Sequence, residues 1–409
     1  MSLSFINGIS RPPLYWLVGA DDLTGAMDAG AQFVKAGLST VVCLKPRVGD
    51  IPNAQVIVFN SDSRQMCAER ALTAVEGAMR QFGNASFYFK KTDSTLRGNI
   101  GIEMELFMTV AGVRQLVFVP AYPKAERFTR NGVHFVGDTP VAQTSFGKDP
   151  LNPVNSSSIH EFFSKKDTNV QLVSKPYLFS MGSKPTIFVP DCGSQDEMLA
   201  IAKACRDQKI CAFGGSAGFA EAVLSVYENP LEQNQEPGLT SPCLLVNGSL
   251  NPVSLAQMKR LESKQRLIRI PSSLLDLKEV EVFVSGLTRA RKSYESLLLC
   301  SVLLEEEVSS YLSFGATLGL DAHEVHRRMA EVTALLVKEL LEANAFSSLV
   351  ISGGATFAAV ADVLEWEYLA PSGEISPGLT SSRAPGSTLK IVSKSGGFGD
   401  EELLVRLLG

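Results

Sequence analysis

The chain has 409 residues, of which 45% are apolar and 20% charged, and its formal net charge is −5. This length exceeds one ordinary hydrophobic core, so we expect two domains. The acidic balance excludes the basic footprint of a nucleic-acid-binding protein and a polybasic membrane patch. No apolar run approaches the ~20 residues that a membrane helix needs.

The N-terminus, MSLSFINGISRPP, lacks the basic start and the apolar core of a signal peptide. The seven cysteines are an odd number and stand mostly inside apolar stretches. We interpret them as buried free thiols, which favours a reducing cytoplasm. The chain has no CxxC pair and no HExxH, so the sequence predicts no zinc site.

Apolar strand-like runs alternate with helical patterns through the first half, which predicts a mainly parallel sheet covered by helices. The predicted strands are Leu14–Ala20, Thr40–Leu44, Val56–Asn60, Phe87–Lys91, Leu116–Pro120, Thr186–Pro190 and Ile210–Gly214. Helices are predicted between several of them, for example over Cys67–Gln81 and Asp196–Asp207. The segment GVHFVGDTPVAQTSF is short and turn-rich, which predicts a hairpin outside the sheet.

Residues 228–241, ENPLEQNQEPGLTS, are polar and rich in turn residues, which predicts a linker between domains. The alternation restarts after them, with strands predicted in CLLVNGS, EVFVSG, SLVISGG and LKIVSK. Helices are predicted over Val253–Ser263, Ala322–Ala343 and Phe357–Leu364. The sequence therefore predicts an α/β protein whose two domains, residues 1–230 and 242–409, each contain a mainly parallel sheet flanked by helices.

Two adjacent aspartates, Asp21 and Asp22, stand where the predicted strand Leu14–Ala20 turns into a helix. Aspartate is a good helix N-cap, but adjacent carboxylates repel and only one of them can cap. In an open α/β sheet this position is the carboxyl end of a strand, where ligands bind. We expect Asp21 to cap the helix or support the loop, and Asp22 to face the ligand.

Charged residues also follow two other predicted strands of the first half. Val56–Asn60 runs into Asp62 and Arg64, and Phe87–Lys91 runs into TDSTLRG. If these strands are parallel, the charged groups converge on one edge of the sheet. Cations beside carboxylates suit a small anionic, hydroxylated ligand. The alternative is a set of ordinary surface ion pairs, which are common and contribute little stability.

Glycines cluster at strand ends in the second half, in VNGSLNP, ISGGATF, SGEISPG and SKSGGFGDE. A strand followed by glycines and a helix lets backbone N–H groups bind phosphate. One such loop is weak evidence, because glycine is also the usual turn residue. Four of them in one half indicate a nucleotide. The chain lacks GxxxxGK followed by Ser or Thr, which excludes a Walker-type P-loop, and a GxGxxG at a strand–helix junction, which argues against a dinucleotide site.

One half thus suits a small anion and the other a nucleotide phosphate, with the reaction in the cleft between them, as in a small-molecule kinase. The ordered motifs resemble those of the four-carbon acid sugar kinases, which include D-threonate, D-erythronate and 3-oxo-tetronate kinases. The motifs are ADDLTGAMDAGAQFVKAGL, NSDSR, FYFKKTDSTLRGNIG, VPAYPKAERFTRNGVHFVGDTPVAQTSFGKDPLNPV, GGSAGFAEA, LLVNGSLNPVS, ISGGATFAAVADVL, GEISPGL and KSGGFGDEELL. The resemblance implies a sugar-acid-binding domain over 1–230 and a nucleotide-binding domain over 242–409.

The resemblance also implies site residues, with ATP as the phosphate donor and Mg²⁺ required by its chemistry. It places the sugar acid near Asp22, Arg64, Lys91, Thr92, Asp93 and Ser94, and the cations that follow the same strand add Arg97 to the expected substrate site. It places ATP near Ser249, Gly353, Gly354, Ala355, Thr356, Gly396, Gly397 and Gly399. Relatives often carry an acidic residue in place of Ala355, so here another group substitutes for it or the nucleotide binds more weakly.

For catalysis we expect Asp22, with Asp93 second, to orient and deprotonate the attacking hydroxyl. Arg64, Lys91 and Arg97 would hold the substrate carboxylate or neutralise the transferring phosphate. Two alternatives remain, an ATP-independent epimerase or aldolase and a non-catalytic sensor of a sugar acid or nucleotide. The glycine loops argue against the first, and the aspartates and cations argue against the second. A homodimer is one assembly consistent with the sequence.

Overall fold

The computed structural model describes residues 5–6, 9–10, 14–45, 53–149, 152–163, 168–180, 182–228, 238–262, 266–289, 296–343 and 345–408. The chain divides into two compact units, residues 1–233 and 234–409. Most of the predicted linker, residues 229–237, lies outside the described residues.

The strands of the first unit are β1 (Phe5–Ile6), β2 (Ile9–Ser10), β3 (Leu14–Ala20), β4 (Thr40–Cys43), β5 (Val56–Asn60), β6 (Ala85–Lys91), β7 (Gln115–Val119), β8 (Arg127–Arg130), β9 (Val133–Val136), β10 (Thr139–Pro140), β11 (Asn169–Val173), β12 (Thr186–Pro190) and β13 (Ala212–Gly215). Its α-helices are α1 (Leu23–Lys35), α2 (Ala68–Phe82), α3 (Ile100–Ala111), α4 (Gln195–Asp207) and α5 (Ala217–Tyr227). Short 3₁₀ helices cover Pro123–Ala125, Val141–Gln143, Ser145–Lys148 and Ile159–Phe162.

Eight of these strands form a parallel sheet in the order β11-β12-β7-β13-β6-β3-β5-β4. The central strand β3 is buried from Trp16 to Ala20, as expected for a parallel sheet covered by helices on both faces. In the register of the sheet, Ala20 is aligned with Asn60 of β5 and with Lys91 of β6. The three loops that follow these residues therefore begin at the same edge of the sheet. The predicted parallel sheet is confirmed.

A small antiparallel sheet of β8, β9 and β10 lies outside the parallel sheet, which confirms the predicted hairpin. Thr129 of β8 forms an isolated bridge with Cys192, just after β12, so the small sheet is tied to the large one. The two strands β1 and β2 form a separate antiparallel pair.

The strands of the second unit are β14 (Cys243–Asn247), β15 (Arg266–Arg269), β16 (Ser296–Cys300), β17 (Ser348–Ser352), β18 (Tyr368–Ser376), β19 (Leu379–Arg383) and β20 (Lys390–Lys394). Its α-helices are α6 (Pro252–Glu262), α7 (Val280–Arg289), α8 (Val308–Thr317), α9 (Ala322–Ala343), α10 (Gly354–Val363) and α11 (Leu403–Leu408). Short 3₁₀ helices cover Ser272–Leu275, Leu277–Glu279 and Glu305–Glu307.

In this unit β20, β17, β14, β16 and β15 are parallel, and the antiparallel hairpin of β18 and β19 continues the sheet beside β20. Asn247 of β14 is aligned with Ser352 of β17, which is aligned with Lys394 of β20. The glycine loops that follow these three strands therefore start at one edge, as the charged loops of the first unit do.

The prediction of a strand in EVFVSG is wrong, because this segment lies within helix α7. Val280 is buried, Phe283 and Val284 are half-buried, and Val282 is 71% exposed, so the apolar residues follow a helical spacing. The helix packs against α9, and this tertiary contact outweighs the strand preference of the valines. The sheet instead contains β15 and β16, which the sequence did not predict.

None of the seven cysteines, all of which the structure describes, forms a disulfide. Cys67 is exposed, Cys211 is half-buried and the others are buried. Within the described part of the chain, none of the helices combines the length and the apolar character of a membrane span.

Candidate functional site

Arg64 lies between the two aspartates that follow β3. Its Nε and Nη2 donate to the two carboxylate oxygens of Asp21 at 2.9 and 3.0 Å. Its Nη1 and Nη2 donate to the two oxygens of Asp22 at 2.8 and 2.7 Å. One guanidinium thus binds two carboxylates, because the parallel register brings the ends of β3 and β5 together.

Asp22, and not Asp21, is the N-cap of α1. Of the two roles expected for Asp21, the helix cap is therefore wrong, and support of the loop stays a prediction. The Oδ1 atom of Asp22 accepts from the backbone N–H of Gly25 at 2.9 Å, and its Oδ2 accepts from Thr24 Oγ1 at 2.7 Å. The second aspartate caps because it directly precedes Leu23, the first helical residue, whereas Asp21 stands one position earlier, directly after β3. With the two bonds from Arg64, the oxygens of Asp22 accept four hydrogen bonds, which is the usual capacity of a carboxylate.

Asp21 is buried, with 3% of its surface exposed. Burial raises the pKa of Asp21, but the charges of Arg64, Lys90 and Lys91 outweigh this effect and hold the pKa below its ordinary value. Gly98 adopts a φ of +93°, and a Cβ atom there would lie 3.2 Å from Asp21 Oδ2 and from Arg64 Cγ. A glycine at this position therefore lets the loop after β6 approach the Asp21–Arg64 pair.

Asp93 is the centre of a second group of charges, in the loop after β6. Its Oδ2 accepts from Thr95 Oγ1 and from Nε of Arg97 at 2.5 and 2.7 Å, and its Oδ1 accepts a longer bond of 3.3 Å from Arg97 Nη2. Arg97 also donates to Asp149 at 3.3 Å and lies over the ring of Phe146. Burial raises the pKa of Asp93, but Arg97 and Arg64 hold it well below its ordinary value, so the carboxylate is ionised.

His134 of β9 contacts the backbone of the loop after β6. Its Nε2 lies 2.8 Å from the carbonyl oxygen of Ser94, which can only accept, so Nε2 carries the proton. Its Nδ1 therefore accepts from Thr129 Oγ1, at 3.2 Å. Burial lowers the pKa of His134 to about 4, so the ring is neutral. The small sheet thus holds the Asp93–Ser94 turn in place.

Two buried lysines end strand β6. Lys90 forms an ion pair of 2.8 Å with Glu103 of α3, and both side chains are 1% exposed. Lys91 donates from Nζ to the carbonyl oxygen of Thr92 at 3.0 Å and lies beside Gly25 at the start of α1. Lys91 is thus directed to the same edge as Asp21, whereas Lys90 is used in the core.

In the second unit, the loops after β14 and β17 are in direct contact. A Cβ atom on Gly248 would overlap Oγ1 of Thr356, and one on Gly353 would lie 3.0 Å from Gly248 C and Ser249 N. Gly353 has a φ of +109°, which a residue with a side chain rarely adopts. The loop after β20 meets them, because a Cβ on Gly396 would lie 2.6 Å from Ser249 Oγ.

Helix α10 begins in this group of loops, at Gly354. Its N-cap is Gly353, which makes no side-chain capping bond, and its first turn contains no acidic residue. Ala355 is exposed and Thr356 is buried against Gly248. The N-cap residue therefore leaves the first N–H groups of α10 uncapped, and an uncapped helix N-terminus is a position where anions commonly bind in proteins.

Two family models match the chain. The model of a sugar-binding N-terminal domain matches residues 16–223, and that of a nucleotide-binding C-terminal domain matches residues 244–404. The chain belongs to the four-carbon acid sugar kinase family. The resemblance seen in the sequence motifs is confirmed.

Named relatives of this kinase family match nearly the whole chain. The D-threonate kinase of Bordetella bronchiseptica is 29% identical, and the match covers 95% of each chain. The 3-oxo-tetronate kinase of Methylobacterium radiotolerans is 26% identical over 95% of this chain and 97% of its own. A solved structure described as a putative tRNA synthase from Salmonella typhimurium LT2 has a TM-score of 0.77 at 19% identity, covering 96% of this chain and 98% of its own. At that identity the structure supports the fold alone.

The structure brings together most residues that the sequence assigned to this family's two sites. Asp22, Arg64, Lys91 and Asp93 lie at one edge of the first sheet. Ser249, Gly353, Thr356 and Gly396 lie at one edge of the second. Gly399 lies further along, against Gln257 and Leu403. Sequence reasoning missed His134 and Asp149, which are far from the loop after β6 in the chain and reach it only through tertiary packing.

No group of three or more His, Cys, Asp or Glu side chains that could hold a metal ion occurs among the described residues. A dedicated protein cage for magnesium is therefore not part of the described structure. A magnesium ion that arrives with a nucleotide needs only one or two protein oxygens, because phosphates and waters supply the others.

Proposed function

We propose that this four-carbon acid sugar kinase transfers the γ-phosphoryl group of ATP to a hydroxyl of a sugar acid of the threonate, erythronate or 3-oxo-tetronate type. The observation that carries this proposal is that each of the two sheets has one edge at which the ends of three parallel strands are aligned. One edge gathers carboxylates and cations within the matched sugar-binding domain, and the other gathers glycine loops within the matched nucleotide-binding domain.

The cations of the first edge suit the carboxylate of the sugar acid. Arg64 uses four N–H···O contacts on Asp21 and Asp22, so its role is chiefly to fix the geometry of the edge. Lys91 makes a hydrogen bond only to a backbone carbonyl among the described residues, and its ammonium has further donors for a ligand. We assign the substrate carboxylate to Lys91 and to the outer N–H groups of Arg64 and Arg97.

Asp93 is better placed than Asp22 to receive the proton of the attacking hydroxyl. The four acceptor positions of Asp22 are used by the protein, whereas Oδ1 of Asp93 accepts one long bond among the described residues. The hydroxyl oxygen attacks the γ-phosphorus, its proton passes to Asp93, and ADP leaves with the electrons of the broken P–O bond. Phosphoryl transfer asks mainly for positioning, so an ionised carboxylate of low pKa suffices to orient the hydroxyl.

The second edge suits the phosphates of ATP. At Gly353 and Gly248 the backbones of two loops are in direct contact, with no side chain between them. Helix α10 directs its first N–H groups to the same place. Because Ala355 offers no carboxylate, the proposed site holds phosphate through backbone groups and through Ser249 and Thr356.

The test is to measure ADP release by purified protein with ATP, magnesium and a panel of D-threonate, L-threonate, D-erythronate and 3-oxo-tetronate. We expect at least one acid to raise ADP release well above the rate with ATP alone, with one phosphorylated acid formed per ADP. The five-carbon acid D-ribonate is a control for chain length. No stimulation by any four-carbon acid, with ATP or GTP, would contradict the proposed function.

A further inference from the structure

Lys394, the last residue of β20, is a fully buried lysine in the second unit, with 0% of its surface exposed. Its Nζ lies 3.3 Å from Ser254 Oγ, 3.2 Å from the carbonyl oxygen of Ser395 and 3.3 Å from that of Gly396. These three acceptors match the three donors of an ammonium group. All of them are neutral, and Lys394 has no ion pair among the described residues.

A buried ammonium without a carboxylate is unfavourable, because burial disfavours the charged form. The same chain avoids this cost at Lys90, which is equally buried but is paired with Glu103 at 2.8 Å. Burial lowers the pKa of Lys394 to about 8, and no charged side chain contributes to this shift. The positive charge of Lys394 is therefore uncompensated in the described structure.

The position of this charge is informative. Lys394 is aligned with Ser352, whose hydroxyl contacts Ser254 at 3.1 Å, and Ser254 also donates to the carbonyl oxygen of Gly396 at 2.9 Å. Gly396 in turn lies against Ser249. The ammonium thus lies directly beneath the loops that we assign to the nucleotide phosphates, and it binds the carbonyl side of one of them.

We propose that Lys394 is a positioning residue whose buried charge is compensated by the nucleotide phosphates, so that nucleotide binding is coupled to protonation of this lysine. This inference rests on the proposed binding of ATP. The ammonium holds the carbonyl groups of Ser395 and Gly396, which fixes the backbone of the loop, and the phosphates supply the negative charge that the protein does not.

The coupling has a defined sign. Near pH 8 part of the free protein carries a neutral Lys394, and bound phosphates raise its pKa because they favour the charged form. Nucleotide binding should then take up protons near pH 8, and affinity should fall as the pH rises further. The charged side chains on neighbouring elements are mostly exposed, and none of them changes the pKa of Lys394.

These side chains are Lys259, Arg260 and Glu262 of α6, Asp362 of α10, Arg383 of β19, Asp400, Glu401, Glu402 and Arg406 near α11, and the half-buried Glu374 of β18.

The test is calorimetric titration of the protein with ADP and excess magnesium, in buffers of different ionisation enthalpy. At pH 8 the wild-type protein should take up about 0.5 proton per ADP, since a group with a pKa near 8 is half protonated there, and at pH 6.5 almost none. Lys394→Met should lose this uptake and bind ADP about tenfold or more weakly. The matched control is Lys390→Met, a buried lysine at the other end of β20 that donates to the carbonyl oxygen of Gly238.

The control variant should keep both the affinity and the proton uptake of the wild type. Equal ADP affinity or equal proton uptake in Lys394→Met would overturn the inference. If Lys394→Met does not fold, the wild type alone decides, because its ADP affinity should fall about fivefold between pH 8 and pH 9. Wild-type binding without proton uptake would refute only the role of Lys394, whereas no ADP binding would refute the proposed function as well.

Discussion

Arg64 binds Asp22 through both of its terminal guanidinium nitrogens, at 2.8 and 2.7 Å. The same carboxylate caps α1, so one side chain joins the helix, the end of β3 and the loop after β5. This geometry makes Asp22 a fixed part of the edge rather than an acceptor with spare capacity. It therefore gives Asp22 a different role from Asp93, the other aspartate that the sequence offered as a catalytic residue.

Exchange of Asp93 for asparagine should therefore lower kcat more than the same exchange at Asp22. We expect Asp93→Asn to reduce kcat by ~10²–10⁴, which is the usual contribution of a general base. Asp22→Asn should reduce it less than tenfold, because asparagine still caps helices well. Steady-state kinetics of the two variants with the best four-carbon acid make the comparison. A large loss in Asp22→Asn with near-normal turnover in Asp93→Asn would return the proton acceptor to Asp22.

Removal of Arg64 should both weaken the binding of the sugar acid and destabilise the folded protein. Arg64→Ala should raise the KM for the acid by ~10-fold or more, since a charge-assisted hydrogen bond contributes about 1.5–3 kcal/mol. It also leaves Asp21 buried without its partner, which costs about 3–5 kcal/mol of unfolding free energy. The KM for ATP should stay within twofold.

The control for Arg64 is Arg80→Ala. Arg80 forms an exposed pair with Glu76 on α2, and its side chain is 69% exposed, so its loss should cost less than about 1 kcal/mol and leave both KM values unchanged. Urea unfolding and initial-rate kinetics report the two effects. An unchanged KM for the acid in Arg64→Ala would limit Arg64 to a structural role.

Gly354 should be necessary for stabilisation by the nucleotide. A ligand that binds only the folded state adds about 2.7 kcal/mol at 100 times its Kd, so Mg-ATP should raise the Tm of the wild type. Gly354→Val should abolish this rise, because a branched side chain would stand at the first N–H groups of α10. Gly286→Val on α7, where a Cβ meets nothing within 4 Å, is the matched control and should keep the rise. A full rise in Gly354→Val would show that phosphate does not approach this loop.

His134 should make the protein less stable in mild acid. Its pKa is about 4 in the folded state and about 6.5 when exposed, so the unfolded chain binds more protons between these values. Stability from the neutral ring is complete above about pH 6.5 and is lost as the pH falls toward 4. Between pH 7 and pH 5 the wild type should lose about 2 kcal/mol of unfolding free energy from this residue alone.

The variant His134→Gln removes the titrating ring and keeps a side-chain N–H that can reach Ser94. It should lose about 2 kcal/mol less than the wild type over the same pH interval. The partly exposed His160 gives the control, because His160→Gln should retain the wild-type dependence on pH. Urea denaturation at pH 7 and pH 5 measures the difference. Parallel curves for His134→Gln and the wild type would mean that His134 is not buried as a neutral ring.

The sequence predicted the edges but not the details of their hydrogen bonds. Convergence of Asp21, Asp22 and Arg64 follows from parallel strands, because buried apolar runs with charged ends are visible in the sequence. Which of the two aspartates caps the helix depends on whether α1 begins one residue earlier or later. The structure shows that α1 begins at Leu23, which makes Asp22 the cap. His134 and Lys394 act through contacts that tertiary packing creates, so their roles cannot be predicted from the local spacing of residues in the sequence.

The contact between Gly248 and Thr356 has a consequence for the accessible variants of this chain. Since a methyl group on residue 248 would occupy the place of the threonine hydroxyl, the two positions can change only together. A library randomised at position 248 alone should return glycine, whereas one that also varies position 356 should recover small residues at the first site when the second has lost its branched side chain. The two loops thus constrain each other's evolution although 107 residues separate them in the chain.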